Sequence, residues 1–149
     1  MIKTRHGSCH CGAVRFSCEI DLAPEGDRSP QKRPGVWFSS TLRCNCSFCF
    51  KTRMWKNHVP LESFKLLAGG DNLSHYRFAA GGIDHTFCKT CGVYPFVSAS
   101  EPEMGGEFVC VNVACLDDVS HVEFAAAPIR YEDGANDQWG NAPKVTGYL

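Results

Sequence analysis

Cys44, Cys46 and Cys49 place three thiols within six residues, in the run Cys-Asn-Cys-Ser-Phe-Cys. Closely spaced thiolates suit a zinc ion, and their number decides what the ion can do. A structural zinc is closed by four protein ligands. A catalytic zinc takes three and leaves the fourth position to water or substrate. The rest of the chain supplies a C-x-C pair, Cys9 and Cys11, and a C-x-x-C pair, Cys88 and Cys91. Together these make a set of four. The spacing therefore points to one closed zinc site and one open one.

Other readings of the same residues stand beside this one. A C-x-x-C pair can be a redox dithiol, but that motif wants a helix N-terminus in a βαβ context, and no such context is visible here. Cys88-Lys89-Thr90-Cys91-Gly92 reads instead as a zinc knuckle, whose glycine permits the tight turn and a positive φ. Cys9-His10-Cys11-Gly12 is a shorter loop of the same kind. The seven clustered cysteines can be divided in more than one way. A histidine such as His10 or His85 could complete the second site and close it, unless each is a surface or satisfied side chain. Cys18, Cys110 and Cys115 lie in or beside apolar strands, where free cysteine is a small buried hydrophobe.

Further candidates surround the three-cysteine run. Lys51, Arg53 and Lys56 either hold an anionic ligand or form a solvated face. Phe48, Phe50, Met54 and Trp55 line a pocket or belong to the core. Leu116-Asp117-Asp118 either brings a carboxylate to a site or, more simply, ends a strand in a turn.

Strands must position these groups. Val14, Phe16, Cys18 and Ile20 alternate with Arg15, Ser17 and Glu19, the period-two pattern of a half-buried strand. Further strands are expected over Val36–Leu42, Ser74–Phe78, Asp84–Phe87, Gly92–Ser98, Glu107–Cys115 and Ile129–Tyr131, with Gly81-Gly82 as a turn, and Phe64–Leu67 is a short apolar stretch ended by Gly69-Gly70. Short helices fit only Ser47–Trp55 and the stretch near Leu61. The segment from Leu22 to Gly35 carries Pro24, Pro30 and Pro34 and reads as a loop insertion. The expected fold class is mainly β, in a single zinc-binding domain over residues 1–149.

Composition narrows the function. Ten of 149 residues are cysteine. No apolar run of ~7–15 residues opens the sequence as a secretory leader would, and no segment has the ~18 apolar residues of a membrane span. A cytoplasmic, reducing setting is expected, where clustered cysteines bind metal rather than form disulfides. Net charge is −1 with mixed signs, which supplies no basic face for nucleic acid.

The ordered set Gly7-Ser8-Cys9-His10-Cys11-Gly12, Cys44-Asn45-Cys46-Ser47-Phe48-Cys49-Phe50-Lys51 and Phe87-Cys88-Lys89-Thr90-Cys91-Gly92 resembles the glutathione-dependent formaldehyde-activating enzyme family, which includes centromere protein V. Val111-Asn112-Val113-Ala114-Cys115-Leu116-Asp117-Asp118 is similar to a later strand and turn of that family. The resemblance implies a β-tent fold of small antiparallel sheets braced by zinc knuckles, with two Zn2+ per chain. It implies a structural zinc on Cys9, Cys11, Cys88 and Cys91, and a catalytic zinc on Cys44, Cys46 and Cys49. It also implies a carbon–sulfur lyase that adds glutathione reversibly to formaldehyde, giving S-hydroxymethylglutathione. A lyase acting on a different thiol adduct, or a zinc-stapled binding module without catalysis, are the alternatives. Phe50 stands where the family has a polar or basic residue, and the 22–35 insertion is a second departure. Both bear on the rim of the expected pocket.

Overall fold

The computed structural model describes residues 1–23, 40–79, 82–102 and 106–149. Over these residues the chain is mainly β, with ten strands in two sheets and two short α-helices. The expected loop over 22–35 lies outside the described residues beyond its first two positions, as do positions 36–39 of the next expected strand and one glycine of the 81–82 turn.

The small sheet consists of β1 (Lys3–Ser8), β2 (Arg15–Ile20) and β5 (Phe64–Ala68), in the order β1-β2-β5, with both pairings antiparallel. β2 follows its alternation: Val14, Phe16, Cys18 and Ile20 are buried, and Arg15 and Glu19 are exposed. β1 was not expected, because Lys-Thr-Arg-His-Gly-Ser carries no apolar period. It forms as the hairpin partner of β2, with Gly7 opposite Phe16.

The large sheet contains β3 (Thr41–Cys44), β4 (Lys56–Pro60), β6 (Leu73–Tyr76), β7 (Ile83–Cys88), β8 (Phe96–Glu101), β9 (Gly106–Asn112) and β10 (Ile129–Glu132). Their order is β10-β3-β4-β9-β8-β7-β6. β10 lies parallel to β3, and the other pairings are antiparallel. β8 begins four residues later than expected, because Pro95 has no N–H to give a ladder. β9 ends at Asn112, whose side chain accepts from the Ala114 N–H at 3.2 Å and turns the chain into a 3-10 segment. β4 was also unforeseen, since Lys-Asn-His-Val reads as polar.

Successive residues of a strand face opposite sides of a sheet, so the large sheet has two different faces. Val59, Phe96, Val109 and Val111 join Phe16, Cys18 and Ile20 in the main core between the sheets. Val97, Ala99, Phe108 and Cys110 form a second cluster with Met54 on the other face. Helix α1 (Ser47–Thr52) lies where a short helix was expected. Helix α2 (His121–Ala126) is additional. It opens with a capping box, in which Ser120 Oγ accepts from the Glu123 N–H at 3.2 Å and Glu123 accepts from the Ser120 N–H at 3.1 Å.

Candidate metal centres

Two groups of cysteine sulfurs converge, each with its ligand atoms within 4.8 Å of one another: Cys9, Cys11, Cys88 and Cys91, and Cys44, Cys46 and Cys49. Among the described residues, no histidine or carboxylate joins either group. All ten cysteines are free thiols. The four-plus-three division is thus the one the fold brings together.

The four-sulfur group sits on two turns of the same geometry. The Gly12 N–H donates to the Cys9 carbonyl at 2.9 Å, and the Gly92 N–H to the Cys88 carbonyl at 2.8 Å. Gly12 and Gly92 have φ of 75° and 73°, the left-handed conformation that glycine adopts without strain. The first turn closes the β1–β2 hairpin of the small sheet, and the second follows β7 of the large sheet. Cys9 and Cys11 sulfurs lie 3.6 Å apart, and Cys11 and Cys88 sulfurs 3.7 Å. A tetrahedron with Zn–S bonds of ~2.3 Å has edges of about 3.8 Å, so the spacing fits zinc. Polar hydrogens already point at the sulfurs: the Val14 N–H reaches Cys9 at 3.3 Å, and Asn72 Nδ2 reaches Cys88 at 3.2 Å. Burial works against ionisation of Cys88, but the N–H groups of Cys91 and Thr90 outweigh it and bring that thiol down to about 6.

The three-sulfur group is built at the junction of β3 and α1. Cys44 ends the strand, Cys46 caps the helix, and Cys49 is buried within its first turn. The Cys46 N–H donates to Cys44 Sγ at 3.3 Å, and the Cys49 N–H to Cys46 Sγ at 3.5 Å. Asn45 holds the run against the end of β10, donating to Asp133 at 2.6 Å and accepting from the Ala135 N–H at 2.8 Å. Left to themselves, these sulfurs cannot all ionise. The Cys44 and Cys49 thiols hold Cys46 down as the thiolate, and Cys44 is pushed up in turn. A divalent cation is the partner that lets all three ionise together.

This group opens onto a cavity of about 700 Å³. Cys46 and Cys49 line it with Phe48, Met54, Phe78, Ile83, Val97 and Trp139, a mainly apolar wall. Lys56, His85, Glu101, Asp137 and Cys110 also reach it. His85 does not join the three-sulfur group. Its ring packs 3.7 Å from that of Phe48 and 5.1 Å from that of Phe78, and burial lowers its pKa, keeping the imidazole neutral. His10 is exposed.

The remaining candidates separate clearly. Lys51 and Arg53 are exposed, and Arg53 donates to the Tyr148 carbonyl at 2.5 Å with its guanidinium over the Phe50 ring. Lys56 is buried. Phe48 and Met54 line the cavity, whereas Trp55 packs on Phe124 beside the main core. Asp118 accepts from the His6 N–H at 3.0 Å in a surface turn, so the plainer reading of Leu116-Asp117-Asp118 is the right one. Cys18 and Cys115 are buried, and burial pushes both thiols up to about 12. Cys110 is buried too, but it faces the cavity side of the sheet, which its valine-rich surroundings concealed. Phe78, Val97, Glu101, Gly134, Asp137 and Trp139 carried no sequence signal toward this site.

A family model described as glutathione-dependent formaldehyde-activating enzyme matches residues 4–132. A crystal structure of a Rhodobacter sphaeroides protein is similar at 30% sequence identity and a TM-score of 0.60, over 84% of this chain and 99% of that one.

Proposed function

The chain belongs to the glutathione-dependent formaldehyde-activating enzyme family, and from that premise we propose that it is a zinc-dependent carbon–sulfur lyase that adds glutathione reversibly to formaldehyde. The observation that carries this reading is the incomplete ligand set: Cys44, Cys46 and Cys49 converge at a cavity wall with no fourth ligand among the described residues. Cys9, Cys11, Cys88 and Cys91 form the complete set, to which we assign a structural zinc. A zinc ion on the three-cysteine set would offer its fourth position to a substrate thiol and favour the loss of that thiol's proton.

The chain's own residues do the rest. Asn45 and the N–H groups of Cys46 and Cys49 hold the three sulfurs in place. Phe48, held by His85, and Met54 keep water from one side of the cavity. Glu101 and Asp137 suit the α-ammonium of glutathione. In the reaction the thiolate sulfur forms a bond to the aldehyde carbon, the carbonyl π bond breaks, and the proton lost by the thiol ends on the new hydroxyl. No further reactant is needed. The apolar wall supports a second reading, the same chemistry on a bulkier thiol adduct.

Calorimetric titration of the zinc-loaded protein with glutathione tests the first reading. Wild type is expected to give saturable heat, and Cys46→Ser to hold one zinc fewer and give none. A zinc-loaded wild type that gives no glutathione-dependent heat overturns the glutathione assignment. A Cys46→Ser variant that does not fold overturns the catalytic assignment of that zinc.

A further inference from the structure

Lys56 is buried, with 9% of its surface exposed, which is unusual for an ammonium unless it is paired. Strand register says what shares its side of the sheet. Lys56 lies opposite Leu42 on β3, and Cys44 follows two residues later on the same face. Glu132 on β10 is in register with Cys44. Cys110 on β9 is the diagonal neighbour of Lys56, two positions from its partner Asn112. One ammonium, one carboxylate and the cysteine sulfurs therefore meet on one face.

The carboxylate already has its cation. Glu132 accepts from Arg130 at 3.0 Å, with the carboxylate buried and the guanidinium nearly so. Lys56 has no ion pair within 4 Å to any carboxylate among the described residues. Cys110 is not its counter-ion either, since burial pushes that thiol up to about 12. Cys46 and Cys49 of the three-cysteine run line the same cavity as Lys56.

Charge counting agrees. Three thiolates around a divalent ion carry a net charge of about −1, as follows from their formal charges. One ammonium brings the assembly to neutrality, so an anionic fourth ligand enters without like-charge repulsion. We propose that the Lys56 ammonium is the counter-cation of the Cys44–Cys46–Cys49 site, a positioning residue that sets the metal affinity of this site and its acceptance of a substrate thiolate. This rests on the metal reading of that site, and goes beyond it in assigning the residue that balances its charge.

Cobalt(II) loading tests it, because sulfur-to-cobalt charge-transfer absorption reports each site without any assay of activity. Wild type is expected to take up two cobalt ions. Lys56→Met should weaken the three-sulfur site about 10- to 100-fold and leave the four-sulfur site unchanged, and Lys56→Arg should restore most of the loss. Added mercaptoethanol should perturb the wild-type spectrum at a lower concentration than that of Lys56→Met. Equal affinities in wild type and Lys56→Met overturn the proposal while leaving the metal reading intact. Uptake of a single cobalt by wild type overturns both. If Lys56→Met does not fold, the Nζ resonance of Lys56 in wild type is followed by heteronuclear NMR as the three-sulfur site fills. A shift supports the proposal, and an unmoved resonance overturns it.

Discussion

The missing side chain of Gly134 sets how closely the end of β10 approaches the three-sulfur run. A Cβ there would stand 2.7 Å from Cys44 Sγ and 2.6 Å from the Trp139 ring, well inside van der Waals contact. Gly134→Ala must therefore move either the sulfur or the indole. We expect it to weaken metal binding at Cys44, Cys46 and Cys49, leave the four-sulfur site full, and cost about 1–3 kcal/mol of stability through overpacking. Chelator competition and urea unfolding measure the two effects. Unchanged affinity at the three-sulfur site would show that Trp139 yields instead. At this scale chemistry and environment divide the cysteines. Seven converge in clusters where a divalent cation lets the sulfurs ionise together, and Cys18, Cys110 and Cys115, outside those clusters, are kept as thiols by burial.

Helix α2 is only six residues long, too short to stand without caps and tertiary anchors. Glu123 supplies both. It accepts from Ser120 in the capping box, from Lys3 at 3.2 Å and from Arg5, tying the helix to β1. The backbone bond from Ser120, followed by the two cations, pulls its pKa from 4.5 to about 2. A carboxylate whose folded pKa is depressed stabilises the fold above its unfolded pKa and loses that contribution as pH falls through the folded one. Glu123→Gln should accordingly be less stable than wild type near pH 7, and the gap should close between pH 4.5 and about 2. Urea midpoints at several pH values read this directly. A gap that does not change with pH would mean that the carboxylate charge contributes nothing.

The four-sulfur group joins the whole molecule. Cys9 and Cys11 belong to the small sheet and Cys88 and Cys91 to the large one, so one ion there links both sheets across the core. Metal binding of this kind is folding free energy. Cys88→Ser should cost on the order of 3 kcal/mol or more and lower the melting temperature well below that of Cys46→Ser, whose site lies within one sheet and its adjoining helix. Thermal melts of the two variants, each with zinc, decide this. Similar melting temperatures would remove the distinction between a bracing site and a working one. No helix among the described residues is long and apolar enough to cross a membrane.

Much of this was legible in the chain. The seven clustered cysteines show themselves by spacing, because chelation by C-x-C and C-x-x-C loops is local. β2 shows itself by alternation, because one of its faces is buried. The positive φ of Gly92 follows from the knuckle it closes. β1 and β4 left no such trace, since they exist through partners distant in sequence, and a polar strand has no period to read. Lys56 looked like one of three flanking cations, yet strand register buries it beside the sulfurs while Arg53 turns to the C-terminal tail and Lys51 stays in solvent. Cys110 looked like core and is buried in the second cluster, while only the fold shows that this cluster also borders the cavity. Local spacing determined which residues can hold metal. Only the tertiary structure decided which sheet each cysteine pair comes from, which face carries the cavity, and which cation meets the thiolates, because those are long-range pairings that no stretch of sequence contains.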